Sequence, residues 1–169
     1  MVVKKARVAF ENRKTLHALE LILCVIHELM DLLEICDDSD GFVSGAIEEN
    51  FDFIKEMVEE EELNLVIKEG FFNKLMEEAS NKEYDGWSDW RLELLEICSV
   101  LADLSPLRNR LENRLQAMMD ATKGDSWSVN YFNEKVLQIK YHMILQNEGE
   151  KKACEFIAQN LQPELFMVV

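Results

Sequence analysis

Trp87–Leu104, WSDWRLELLEICSVLADL, is the stretch whose reading decides the fold. Leu94, Ile97, Leu101 and Leu104 recur at helical spacing, with Leu95 and Cys98 beside them. This makes an apolar stripe too wide for a helix lying on a surface. Ser88 is placed as its N-cap, and Ser105-Pro106 ends it. A helix this apolar needs neighbours on more than one side, so the expectation is an array of packed helices.

The whole chain agrees with that reading. Its 169 residues are 48% hydrophobic and include only two prolines and six glycines. A chain of this length folds as one domain by size, residues 1–169, and buries roughly two thirds of its unfolded surface. Good helix formers fill the long segments, and no stretch alternates Val, Ile, Thr and Tyr with period two as a sheet would require. The class is all-α.

The net charge of −15 is unevenly placed: residues 15–100 carry 23 acids against 5 bases, while the remainder is slightly basic. Direct binding of nucleic acid is disfavoured, because phosphate contacts depend on Lys and Arg releasing counterions. The plain reading of the acidic block is a solvated face; the sharper ones are a basic protein partner or mimicry of nucleic acid.

The four cysteines, Cys24, Cys36, Cys98 and Cys154, show no CxxC spacing and are expected as small buried apolar residues. They point to a reducing, intracellular compartment, cytoplasmic or nuclear. The N-terminus lacks the pattern of a signal peptide. Leu21–Ile26, the most apolar run, is far short of the roughly 20 residues of a membrane span. No membrane partner is expected.

Along the chain, residues 2–14 predict a basic amphipathic helix packed on the next one. Thr15–Ile35 predicts a central helix, because Leu21 and Val25 widen its stripe almost to a full circle. Ser44 is expected to cap a helix from Ala46 to about Glu61, frayed where Glu59–Glu62 oppose the helix dipole. Leu63–Ile67 leads to Gly70, and Phe71, Phe72, Leu75 and Met76 form a short helix ending near Ser80. After Trp87–Leu104, Ser105-Pro106 reads as a capping hydroxyl followed by proline, opening a helix that Gly124 closes. Ser126 or Ser128 opens another, broken at Gly149 before a last helix. The apolar tail Leu165–Val169 should dock on the body.

Trp87-Ser88 and Trp127-Ser128 stand 40 residues apart, each shortly after a glycine and each opening a long apolar helix. A period near 40 is the range of stacked helical repeats, in which no unit buries its face alone. Val66-Ile67-Lys68-Glu69-Gly70-Phe71-Phe72-Asn73-Lys74-Leu75-Met76 resembles the second-helix pattern of the armadillo-like (ARM/HEAT-type) repeat family. Asp89–Arg110 resembles its longer third helix, and the likeness covers roughly residues 63–146. The resemblance implies a right-handed superhelix of stacked helices whose third helices line a concave protein-binding groove. The family's groove asparagine has no secure counterpart, so no peptide-binding residue carries over. The alternative fold is an irregular multi-helix bundle.

Few residues suggest chemistry. Cys36–Ile47, CDDSDGFVSGAI, has the outline of a calcium loop, but Cys36 and Ile47 stand where the first and twelfth ligands belong. It reads as a connector. His27 and Asp31 share a helical face, yet no second histidine follows to complete a metal site; His17 and His142 are elsewhere. There is no GxSxG, P-loop or GxGxxG. The expectations are no metal, no cofactor, no catalytic residue and no enzyme.

Trp87, Trp90, Trp127 and Tyr131 are the candidate partner-binding residues. Aromatics opening two successive helices either stack in the core between repeats or line the rim of a groove, where Trp and Tyr anchor partners. The expected function is a protein-interaction module, an adaptor or scaffold. The second hypothesis is an acidic inhibitor or nucleic-acid mimic that blocks a basic site on another protein.

Overall fold

The computed structural model describes residues 2–59, 63–122 and 126–160. Eight α-helices and one 3-10 turn make up this part, with no strand among the described residues. The all-α class is therefore what the chain adopts. Two compact units divide it, Met1–Gly86 and Trp87–Val169. No helix among the described residues is long and apolar enough to cross a membrane.

The first unit is built around α2, Thr15–Ile35, whose bounds match those expected from its stripe. Ala18, Leu19, Ile22, Ile26 and Met30 are buried along it. On one side lies α1, Val2–Glu11, the basic amphipathic helix. Small residues, Ala6 and Ala9, are its buried contacts, so two helix backbones approach closely. The Arg7 guanidinium lies 4.2 Å above the Phe53 ring and 3.3 Å from Glu56, and Phe10 meets Phe53 edge-on. These contacts also tie α1 to α3, Phe42–Glu59.

Helix α3 begins four residues earlier than expected. The reason is Asp38, whose carboxylate accepts the backbone N–H groups of Val43 at 2.7 Å and Ser44 at 3.0 Å. Ser44 is thus inside the first turn rather than its cap. Gly41, at φ +68°, makes the sharp entry possible. The expected fraying at Glu59–Glu62 falls largely on residues 60–62, outside the described ones.

α4, Leu65–Glu78, runs straight through Gly70, which the sequence reading had as a break before a shorter helix. Asn64 caps it, its side chain accepting from Ile67 N. A Cβ on Gly70 would come within 3.0 Å of Leu16 on α2. The glycine therefore serves close packing of two helices, which outweighs its poor helix propensity. Gly70 faces Leu16, Lys74 reaches Glu20 at 2.8 Å and Glu78 meets His27, so α4 runs in the same direction as α2. A 3-10 turn, Lys82–Gly86, with Tyr84 fully buried, ends this unit.

The second unit opens with α5, Ser88–Val100, shorter than the expected stretch to Leu104. Ser88 is its first residue and not its cap; Trp87 occupies that position without a side-chain bond. Leu94, Leu95, Ile97 and Cys98 are buried, as the stripe requires. Leu101 and Ala102 stay buried in the turn that follows.

α6, Ser105–Ala121, likewise starts on its serine, with Leu104 as the uncapped N-cap and Pro106 in the first turn. Gly124, expected to close it, lies outside the described residues; Thr122 follows the last helical residue as its C-cap. α7, Trp127–Glu148, is capped by Ser126, which accepts from Val129 N. Arg108 bonds Asn147 at 2.9 Å and Lys140 bonds Gln116 at 2.8 Å, so α6 and α7 are antiparallel. Gly149, at φ +90°, then turns the chain into α8, Glu150–Asn160. The apolar tail 165–169 lies outside the described residues.

Only one cysteine meets expectation. Cys98 is buried, and burial pushes its thiol pKa far up, which keeps it neutral. Cys24 and Cys154 are exposed and Cys36 is half-buried. Cys24 and Cys154 fall outside the buried faces of α2 and α8, and Cys36 lies just past the end of α2, distinctions composition cannot make.

Candidate functional site

α5 and α7 run in the same direction, and their N-terminal halves leave an open seam. Asp89, Leu92, Glu93 and Glu96 from α5 face Tyr131, Lys135, Gln138 and Ile139 from α7 around a cavity of about 230 Å³. The three acids are spaced so that one face of α5 carries them all. Opposite them, Lys135 reaches back over its own helix, its Nζ 5.7 Å from the Tyr131 ring centre. The seam lining thus holds three carboxylates against one ammonium and is negative overall.

The four aromatic residues lie at the openings of these two helices. Trp87 stacks on Trp90, with ring centres 4.7 Å apart, and Trp127 stacks on Tyr131 at 5.4 Å. The helical pitch explains both pairs, since residues three and four apart share a face. Trp87, Trp90 and Tyr131 are half-buried, whereas Trp127 is 79% exposed. None of the four is in the core. On the far side of the same helix starts is a second hollow, about 360 Å³, between α5, the end of α6 and α7, lined by Arg91, Met118 and Phe132 among others. An apolar groove of about 280 Å³ runs between α7 and α8, over Leu137, Tyr141, Phe156 and Ile157. Where α6 meets α7, burial draws the Lys140 ammonium below its usual pKa, against the charges of Glu112 and Asp120.

In the first unit, the acidic loop after Cys36 is occupied by its own backbone. Asp38 caps α3, and Asp37 accepts from Ser39 N. The Asp38 carboxyl is held below its usual pKa by the Val43 and Ser44 amides. Exposed Ile35 and Phe42 flank this loop. Among the described residues no group of three or more His, Cys, Asp and Glu is arranged for a metal ion.

His27 does not join Asp31. Its two ring nitrogens face Glu78 and Glu83, far along the chain. Sequence reading gave no sign of this cluster, because neither partner shares a motif or helical face with His27.

No family model matches this chain, and neither a curated protein nor a solved structure does.

Proposed function

We propose that the chain is a non-enzymatic protein-interaction module that takes a basic segment of a partner protein along the α5/α7 seam. The observation that carries this reading is the exposed Trp127, stacked on the half-buried Tyr131, beside a seam lined by Asp89, Glu93 and Glu96. An exposed tryptophan held by a stacked ring offers a large rigid contact area, and the carboxylates select Lys or Arg side chains beside it. In this reading the helices follow an armadillo-like repeat. Its support is the same-direction packing of α4 on α2 and of α7 on α5, together with the near-40 spacing of the tryptophans.

The test uses fluorescent peptides of defined charge and the whole chain. Peptides alternating Lys or Arg with Leu should bind, and their acidic counterparts should not. Trp127→Ala should weaken binding about tenfold or more while leaving the melting temperature unchanged. Binding that vanishes at high salt and ignores Trp127→Ala would favour the acidic decoy instead. No binding of any basic peptide would overturn the reading.

A further inference from the structure

His27 lies where α2, the end of α4 and the 3-10 turn Lys82–Gly86 converge. Its Nε2 is 2.5 Å from Glu78 Oε1, and its Nδ1 contacts Glu83 Oε2. Tyr84, fully buried, presents its ring edge-on to the imidazole, with centres 6.3 Å apart. The Glu78 side chain is mostly covered, at 14% exposure, and that of His27 is at 27%.

A neutral imidazole has one N–H and one lone pair, so it satisfies one carboxylate and repels the other. The imidazolium donates from both nitrogens. We propose that His27 is a pH-operated latch, which when protonated clamps the Glu78–Glu83 corner onto α2 and when deprotonated releases it.

The surroundings leave the latch to these three groups. The charges acting on the ring are Glu78 and Glu83. Lys74 of α4 is engaged with Glu20, Arg7 of α1 with Glu56, and Lys55 of α3 with Asp52. Lys4 and Lys5 on α1, Glu48 and Glu49 on α3, Lys82 and Asp85 in the turn, and Glu28 and Asp31 on α2 itself are exposed. Burial alone would lower the imidazole's pKa, but the charges and hydrogen bonds of Glu78 and Glu83 together outweigh it, and the net direction is up from 6.5.

The sign of the stability effect follows. A folded-state pKa above the unfolded one adds stability that is fully present below the unfolded value. It is lost as pH rises through the folded value. The corner is therefore held in mildly acidic solution and loosened in mildly alkaline solution, across the range where histidine switches near physiological pH.

The experiment is an NMR titration of the histidine ring signals in the whole chain, paired with thermal melts at about pH 6 and about pH 8. The chain has three histidines, so His17→Gln and His142→Gln assign the signals. His27 should titrate above 6.5, and Glu78→Gln or Glu83→Gln should each bring its midpoint down. The melting temperature should fall between the two pH values, and His27→Gln should reduce that fall. Amide exchange in Lys82–Gly86, corrected for its intrinsic pH dependence, should speed up at the higher pH. A midpoint at or below 6.5, or the same pH dependence in wild type and His27→Gln, overturns the latch. If His27→Gln does not fold, Glu83→Gln decides alone, because it alters a half-exposed carboxylate. An unmoved His27 midpoint in that variant is equally fatal.

Discussion

The seam between α2 and α4 and the seam between α5 and α7 each join two helices running the same way with a third helix between them in sequence. In the first, Gly70 lets α4 settle on Leu16, and Lys74–Glu20 and Glu78–His27 close the pair above it. In the second, the facing positions carry long polar side chains, Glu93, Lys135 and Gln138, and a hollow of about 230 Å³ remains. At Gly70 the first seam is shut, and at its N-terminal end the second is open. The hollow of the open seam gives room for a partner, and the exposed Trp127, stacked on Tyr131, stands beside it.

The largest expected effect comes from wedging the shut seam. Gly70→Val places a branch at the atom that would already touch Leu16 at 3.0 Å. Overpacking of this kind costs about 1–3 kcal/mol, against a small gain in helix propensity, so stability to urea should drop by about 1–2 kcal/mol. Gln138→Leu, on the open seam, should change stability by less than about 0.5 kcal/mol. Equal costs at the two sites would erase the distinction between the seams.

A smaller effect is expected at the corners. The first unit closes the corner between α2 and α3 with a carboxylate, whereas the second opens α6 on Leu104 and Pro106 without a side-chain cap. Asp38→Ala should lower the melting temperature at neutral pH, because two N–H groups of α3 lose their acceptor. Asp38 has a depressed folded pKa, so its contribution is present above 3.8 and disappears as pH falls through the lower folded value. Wild type and Asp38→Ala should therefore converge in strong acid. A constant gap across the acid range would mean that the carboxylate is not what holds the corner.

The smallest effect concerns calcium. With Asp38 committed to backbone amides, the loop should not respond to the ion. A thermal melt in chelator and one in millimolar calcium, at matched ionic strength, should coincide, because a ligand stabilises only the state it binds. A rise of several degrees, lost on Asp40→Ala, would make the corner an ion site and remove its likeness to a plain cap.

Much of the helical layout was legible beforehand, and the misses share a cause. α2 has the bounds its stripe implied, though Leu21 and Val25 are only half-buried, and Gly149 separates α7 from α8 as its position implied. Periodicity and a glycine past a helix end are local signals, readable within one or two turns. Ser44 was misread as the cap of α3 because the true cap, Asp38, takes amides five and six residues ahead, beyond the usual capping distance. Gly70 was misread because its justification, Leu16, lies on another helix. Ser88 and Ser105 look like caps and instead begin their helices, where a neighbouring residue supplies the non-helical dihedrals. Of the four aromatics, the sequence placed each at a helix start, and the stacking within each pair follows from helical spacing. That Trp127 stands in solvent while Trp90 is half-covered did not follow.

The sequence by itself determined that this protein is all-helical, that a single helix spans Thr15–Ile35, and that its central block is acidic. Those properties are sums over residues or over neighbours one turn apart, and they need no knowledge of what packs where. Only the tertiary structure decided which seam is shut, which acid caps a helix, and that His27 sits between two glutamates. Each of these depends on the meeting of side chains that are distant in sequence, and a one-dimensional pattern holds no distance between them.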